Sequence, residues 1–174
     1  IETLHNLGIE KIVMMTGDNE KTAKYIAKEV GVDEYHAEVL PDDKANYVNK
    51  EKENGNVVIM VGDGINDSPA LSAADVGIAI NTGADIAKEV ADITISSSDL
   101  LNLVTLRILG EKLVYRIDLN YHEIIGFNSL LILGSVLGIL QPSASALLHN
   151  TSTLLISTKS MTNLIDDNEL ELSY

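Results

Sequence analysis

Along the first hundred residues, short apolar runs alternate with segments whose apolar residues recur at helical spacing. Lys11–Met15 (KIVMM) predicts a buried strand. Asn19–Val30 predicts a helix, with Ile26 and Val30 four residues apart and Gly31 placed just past its end. Pro41, Asp42 and Asp43 open a second helix, since proline tolerates the first helical turn and acids favour the positive end of the helix dipole. Asn54-Gly55-Asn56 predicts a turn and Val57–Val61 (VVIMV) a second buried strand. Val76–Ile80 and Ile93–Ile95 predict further strands, each with a short helix before it. Strands alternating with helices imply an α/β fold, a mainly parallel sheet covered on both faces.

The pattern changes at Asp99, which is placed to cap a helix. No proline follows until Pro142, and leucine, isoleucine and valine dominate. One long helix is expected, cytosolic over 99–123, entering a bilayer near Tyr121 and leaving it near Leu140. Ile124–Leu140 is 17 residues without a charge, roughly 25 Å of helix at about 1.5 Å per residue. Gln141-Pro142 makes the turn, and Ser143–Ile165 is a second, more polar segment of bilayer length. The expectation is two transmembrane helices, a hairpin over 124–165. Lys112 and Arg116 before the first and Lys159 late in the second place both ends on the cytosolic side.

Charge sharpens this division. The 174 residues carry a net charge of −14. Residues 1–100 hold 8 basic and 19 acidic side chains, residues 101–123 three of each, and residues 124–165 only Lys159. Asp166, Asp167, Glu169 and Glu171 make 166–174 an acidic tail. An acidic soluble unit fused to a membrane unit is the expected organisation, and the acidity argues against nucleic acid as a partner. Cysteine is absent, so the chain offers neither a disulfide framework nor a thiolate metal site. It begins at Ile1 with residues that read as mid-domain, and a fragment of a longer protein is expected.

Candidate chemistry lies at the strand ends. Thr16-Gly17-Asp18 follows the first strand, where open α/β sheets bind ligands. A hydroxyl, a glycine and a helix N-terminus suit a phosphate, although a strand-turn-helix corner with an aspartate cap has the same residues. Gly62-Asp63-Gly64-Ile65-Asn66-Asp67 follows the second apolar run and crowds two carboxylates into one loop. Like charges so close call for a compensating cation or donor, and Mg²⁺ prefers one or two carboxylates plus phosphate and water oxygens. A capped turn before Pro69 would account for Asp67 but not for Asp63. Lys44, early in the second helix, is unfavourable with the dipole. Most lysines so placed are solvated, but beside the two loops this one could pair with a phosphate.

A strand ending in TGD, a lysine after a proline-led helix start and GDGINDSPAL together resemble the haloacid dehalogenase-like Rossmannoid phosphorylation domain of P-type ATPases. The resemblance implies that 1–98 is the C-terminal part of that domain. Thr16, Gly17 and Asp18 would then contact the transferred phosphate and the nucleotide, and Lys44 would neutralise phosphoryl charge. Asp63 would bind Mg²⁺, with Asp67 a weaker Mg²⁺ ligand, and Asn66 and Asp67 its hydrogen-bonding neighbours. Such catalysis is positioning plus charge neutralisation. The family's nucleophilic aspartate, in its DKTGT motif, is absent, as are the nucleotide-binding and actuator domains and the earlier membrane helices. This piece alone is therefore expected to be inactive.

Two helices directly after the phosphorylation domain resemble the heavy-metal (type IB) branch. IDLNYHEIIGFN is similar to the RQNY-like start of its penultimate helix, and LLHNTSTLLISTKSM to its last. Asn128, His149, Asn150, Thr151, Ser152, Thr153, Ser157 and Thr158 are polar within the expected hairpin. Such residues face a bundle interior, pack helices or sit at an interface. Counted from Pro142, His149 lies roughly 10 Å in and Ser152 roughly 15 Å. The branch's copper(I) class has Tyr-Asn and Met-x-x-Ser-Ser elements. Here Phe127-Asn128 keeps only the asparagine, and no methionine stands in the matching place. The lysine and aspartate of the zinc class are replaced by Asn128 and by residues near His149. A further class has a His-Glu-Gly-Gly/Ser-Thr element, which His149-Asn150-Thr151-Ser152-Thr153 matches at its histidine and final threonine. Asn128 and His149 are thus candidate ligands of the transported ion, and imidazole and amide donors favour a divalent first-row metal.

The resemblance implies an integral membrane ATPase of the cell (plasma) membrane with its phosphorylation domain cytoplasmic. It would use ATP and Mg²⁺ to move a transition-metal cation through an aspartyl-phosphate. Its partners would be the lipid bilayer and the pump's remaining domains and membrane helices. The alternatives are a copper(I)-transporting P-type ATPase, a membrane-anchored haloacid dehalogenase-like phosphatase, and a regulatory membrane protein with a dead domain. Polar residues in the hairpin argue against a mere anchor, and intact Lys44, Asp63, Asn66 and Asp67 against a dead domain.

Overall fold

The computed structural model describes residues 1–63, 65–80, 89–95 and 99–165. Gly64 of the acidic loop, most of the helix expected before Ile93, and the tail 166–174 lie outside the described residues. The chain divides into two units at Val104/Thr105.

The first unit runs α1 (Glu2–Asn6), β1 (Val13–Met15), α2 (Glu20–Val30), β2 (Glu34–His36), α3 (Pro41–Glu53), β3 (Ile59–Gly62), a 3₁₀ turn (Ile65–Asp67), α4 (Ser68–Ala73), β4 (Val76–Ile80) and β5 (Ile93–Ile95). Every strand pairing is parallel. β1 pairs with β2, Val13 opposite Glu34 and Met15 opposite His36, and β3-β4-β5 form a second sheet. Parallel neighbours need helical crossovers, which α2 and α4 supply. Asn19 caps α2 by accepting the Thr22 N–H at 3.1 Å. Gly31, at φ +78°, closes it in the left-handed conformation that spares only glycine a steric penalty. At the start of α3 the Asp43 carboxylate accepts the Leu40 N–H at 3.2 Å.

The core is made of small and branched side chains. Leu71 of α4 and Ala79 of β4 are buried together, with Met60 and Ala91 packed on them. Gly77 lets this happen: a Cβ there would lie 2.6 Å from the Leu71 carbonyl oxygen, so any larger residue lifts α4 off the sheet. Below this core, the Asp75 carboxylate accepts the Val58 N–H at 2.9 Å and pairs with Lys52, which also donates to the Ala73 carbonyl. The backbone bond, then the lysine, holds Asp75 below its ordinary pKa.

In the second unit, α5 (Leu101–Val136) and α6 (Pro142–Ser160) form where the hairpin was expected. The Asp99 carboxylate accepts the Leu101 N–H at 2.9 Å, as a cap does. The helix itself stops at Val136, four residues before Leu140. Gly138 turns to φ +71°, and the Ile139 N–H reaches back to the Gly134 carbonyl, a Schellman closure. Among the described residues no helix is long and apolar enough to cross a membrane. The two transmembrane helices expected over 124–165 are thus not displayed. The reason is compositional. Only Ile124–Val136 of α5 is charge-free helix, roughly 20 Å at about 1.5 Å per residue, and α6 is diluted by His149, Asn150, its hydroxyl residues and Lys159.

Candidate functional site

The start of α3 and the loop at the carboxyl end of β3 are joined by one ion pair. Segment 38–39 after β2 is tied to the end of β1, the Glu38 N–H donating to the Asp18 carbonyl and the Val39 N–H to the Thr16 carbonyl. This places the start of α3 beside Thr16 and Asp18. From its first turn Lys44 Nζ donates to Asp67 Oδ1 at 2.7 Å, in the loop after β3. Both side chains are largely withdrawn from water, at 15% and 11% exposure. The unfavourable place of a lysine at a helix N-terminus is offset by this carboxylate. Losing either partner would strand a mostly buried charge, at about 3–5 kcal/mol.

Asp67 reaches Lys44 because residue 62 has no side chain. A Cβ on Gly62 would lie 2.6 Å from Asp67 Cβ. Asp63 and Asn66 are exposed on the same loop. Asp63 takes part in no hydrogen bond or ion pair among the described residues, so its carboxylate is open to a cation. Among the described residues no three His, Cys, Asp or Glu side chains group to hold a metal. That donor set suits Mg²⁺ only as family chemistry would use it, one carboxylate with the remaining positions filled by phosphate and water. Asp67, with Oδ1 on Lys44, serves the lysine first. Ser68 Oγ, next in the chain, is buried without a hydrogen-bond partner among the described residues.

In the β1 loop Thr16 Oγ1 accepts the Asp18 N–H at 3.1 Å and donates to Asp18 Oδ2 at 2.9 Å. A Cβ on Gly17 would meet only the Val39 carbonyl oxygen, at an ordinary 3.8 Å. The protein itself does not demand glycine there, which is consistent with a glycine kept for close approach from outside.

In the second unit the structure brings Asn128 and His149 together, with His149 Nδ1 2.8 Å from Asn128 Oδ1. They line a groove of about 500 Å³ with Leu131, Ser135, Ser145 and their neighbours. Asn150, Thr151, Ser152, Thr153 and Thr158 do not line it. The hydroxyls of Thr151, Ser152, Thr153 and Thr158 are spent on carbonyls of their own helix. Toward the other end of α6, Arg116 donates to the carbonyls of Ser160, Thr162 and Asn163, Asn120 to Ser160 Oγ, and Lys159 pairs with Glu123. Sequence reasoning missed Ser135 and Ser145 in the groove, the Arg116 clamp, and Gly62 as the residue that admits Asp67. The i, i+4 spacing of Ser145 and His149 was the legible sign of the groove.

Parallel strands with a lysine–aspartate pair and an exposed carboxylate at their carboxyl ends define an α/β domain with its polar groups gathered where such sheets bind ligands. The model of the haloacid dehalogenase-like hydrolase family matches residues 1–75. A manganese-exporting P-type ATPase of Mycobacterium bovis is 45% identical over 154 residues, 88% of this chain and 21% of that protein. A copper-exporting P-type ATPase of Staphylococcus aureus is 43% identical over 162 residues, 92% of this chain and 20% of that protein. The crystal structure of a zinc-transporting PIB-type ATPase in its E2.Pi state matches 91% of this chain and 26% of that chain, with 35% identity and a TM-score of 0.83. The chain belongs to the heavy-metal branch of the P-type ATPases. It spans about a fifth of the length of the curated relatives it matches.

Proposed function

We propose that the whole protein hydrolyses ATP through an aspartyl-phosphate and moves a transition-metal cation, a divalent one by preference, across the cell membrane. The observation that carries this is the Lys44–Asp67 pair beside the open carboxylate of Asp63. A phosphoryl group there would meet the Lys44 ammonium, held in place by Asp67, and the backbone and hydroxyl of the Thr16-Gly17-Asp18 loop. Asn66, exposed on the same loop, is placed to hydrogen-bond the same group. Asp63 would hold Mg²⁺, which supplies charge neutralisation on the phosphate oxygens when bound.

β1 and β3 each keep one edge without a strand partner among the described residues, while the Lys44–Asp67 pair ties the start of α3 to the loop after β3. A strand supplied by the rest of the protein between those edges would carry the nucleophilic aspartate to this point. The nucleotide-binding and actuator domains would come from the same source.

The hairpin helices over 124–165 are assigned to the membrane unit of the whole pump, with 99–123 a cytosolic helix leading into them and the phosphorylation domain cytoplasmic. Their polar residues lower the mean hydropathy, but many meet each other across the pair: Asn128 with His149, Asn120 with Ser160, Glu123 with Lys159. Outward they present Leu130, Ile132, Leu133, Val136 and Ile139, all largely exposed. Polar groups that meet across the pair and apolar groups facing outward suit helices in a bundle of other membrane helices, and a simple anchor for a phosphatase has no need of the former. His149 and Asn128 would contribute to the ion site. Nitrogen and oxygen donors there favour a divalent ion over copper(I).

The test is phosphorylation of the full-length protein by γ-labelled ATP. Asp63→Ala is expected to abolish the acid-stable phosphoenzyme while leaving thermal unfolding nearly unchanged, because Asp63 is exposed and has no partner among the described residues. Wild-type labelling in that variant would overturn the site. Activation across a panel of zinc, manganese, cobalt and copper(I) decides the metal, and activation by copper(I) alone would overturn the divalent preference.

A further inference from the structure

Thr16 and Lys44 belong to separate segments of the chain, and His36 is in contact with both segments. It ends β2, and its main-chain carbonyl accepts the Thr16 N–H at 3.0 Å. Its ring lies against the Tyr47 ring of α3, with centroids 5.0 Å apart and planes at 57°, a tilted geometry that favours ring pairs. His36 Nε2 is 2.7 Å from Glu34 Oε1, and the other oxygen of Glu34 pairs with Lys11. Lys11 Nζ in turn donates to the Tyr47 hydroxyl at 3.2 Å and lies 5.9 Å from the centre of its ring. The side chains close a circuit, from His36 to Glu34 to Lys11 to Tyr47 and back to His36. It fastens α3 to the β1–β2 sheet at Tyr47, about one turn beyond Lys44. Residues 37–40 alone connect β2 to α3, and Glu38 among them takes the left-handed φ of +55°. That link is pinned to the Thr16 and Asp18 carbonyls at the start of α3. A second grip, at Tyr47, is what fixes how the helix is tilted and turned on the sheet. The Lys11, Glu34 and His36 side chains keep 45%, 37% and 38% of their surface exposed. Ion pairs so exposed add little to stability, so what the circuit contributes is geometry.

We propose that Tyr47 and His36 are positioning residues for phosphoryl transfer, holding α3 so that the Lys44 ammonium and the Thr16 loop meet one phosphate together. The inference rests on the phosphoryl role proposed for Lys44 above and deepens it. Neither ring would touch the phosphate. Each acts on where the ammonium stands as charge develops on the transferring oxygens, so the effect falls on the transition state rather than on nucleotide binding. A small misplacement of such a group can lower a rate by about 100-fold. Alanine at 47 would remove the ring and open the circuit. Phenylalanine would keep the ring against His36 and give up only the exposed hydroxyl contact.

The experiment uses the full-length protein in detergent. It measures the rate of acid-stable phosphoenzyme formation from γ-labelled ATP, the KM for ATP, and inhibition by orthovanadate, a trigonal-bipyramidal mimic of a phosphoryl group in transfer. Tyr47→Ala is expected to slow phosphoenzyme formation by about 10–100-fold and to weaken vanadate inhibition in parallel, with the KM for ATP unchanged. Tyr47→Phe is expected to restore both to near wild-type values. Glu34→Gln keeps the shape of the side chain and removes the charge that Lys11 and His36 share, and a smaller slowing is expected, again with KM unchanged. Its contacts are partly exposed, so it carries the test should Tyr47→Ala fail to fold, which the unfolding temperature of each variant reports. Wild-type rates and vanadate inhibition in Tyr47→Ala, or in Glu34→Gln where that variant stands in, would overturn the proposal. A raised KM with an unchanged maximal rate would place the circuit in nucleotide binding and overturn the positioning role. Tyr47→Phe as slow as Tyr47→Ala would overturn the part given to the His36 ring. The two levels of failure separate. A slowed Lys44→Ala beside a normal Tyr47→Ala would overturn this inference alone. A wild-type rate in Lys44→Ala would overturn the phosphoryl reading of Lys44 itself.

Discussion

Gly62 and Asp67 show how much a single position controls. Asp67 packs directly on the backbone of Gly62, where a Cβ would sit 2.6 Å from its own, and from there it holds Lys44 at 2.7 Å. Gly62→Ala must therefore push Asp67 off the strand end, with the overpacking penalty of about 1–3 kcal/mol and a displaced lysine as well. The expected outcome in the full-length protein is a lowered unfolding temperature together with loss of phosphoenzyme. Asp63→Ala, by contrast, should lose the phosphoenzyme alone. If Gly62→Ala kept wild-type labelling, Lys44 would have no part in holding the phosphoryl group. Lys44→Ala belongs with Gly62→Ala, since it leaves Asp67 buried and unpaired. The motif residues were legible in the sequence because each is part of one short loop. What the sequence could not reveal is that Asp67 spends its carboxylate on Lys44, since the two are 23 residues apart.

Among the elements, the strands at Val76–Ile80 and Ile93–Ile95 form where apolar runs predicted them. β1 forms as Val13–Met15, a shorter piece of its expected run, and β3 as Ile59–Gly62, starting two residues later than expected and ending one residue beyond. β2 went unpredicted. Glu34-Tyr35-His36 has no apolar run, and it is a strand because β1 offers it a ladder and its side chains find partners: Lys11 for Glu34, Glu34 for His36, Glu20 for Tyr35. Lys11 first, then His36, lowers the Glu34 pKa. Asp75 stitches β3, α3 and α4 in a similar way. Its folded pKa is depressed, so its contribution to stability is present above the ordinary aspartate range and is lost as the pH falls through the lowered value. Urea midpoints measured from about pH 5 down to about pH 2 should fall less steeply in Asp75→Asn than in wild type, with the variant already weaker at neutral pH. Identical acid slopes would mean that the Val58 and Lys52 contacts do not hold Asp75 ionised.

For the whole molecule, the contrast between the two units governs behaviour in solution. The first is acidic and packs a small core around Leu71, while Val30, Leu40, Val57 and Ile59 stay exposed. The second leaves Leu130, Ile132, Leu133, Val136, Leu137 and Ile139 largely exposed. Exposed apolar surface on that scale marks a contact with lipid or protein. Residues 1–174 are expected to partition into detergent micelles, whereas residues 1–98 should remain in the aqueous phase. Recovery of the 174-residue chain as a stable monomer in detergent-free buffer would contradict the membrane assignment.

By itself the sequence determined the α/β alternation and the family, and it marked the strand-end loops and the pair Asn128 and His149 as candidates. These are signals of local period and local motif, and they survive in one dimension because neighbouring residues share a strand end or a helix face. Only the tertiary structure decided that Lys44 meets Asp67 and that Gly62 makes room for it. Only the tertiary structure put Glu34–His36 into a strand, ended α5 at Val136 and brought Ser145 into a groove with His149. Each of these depends on which distant groups share a buried space. That is settled by packing and by the need of every withdrawn charge and hydrogen-bonding group to find a partner, which no local pattern records.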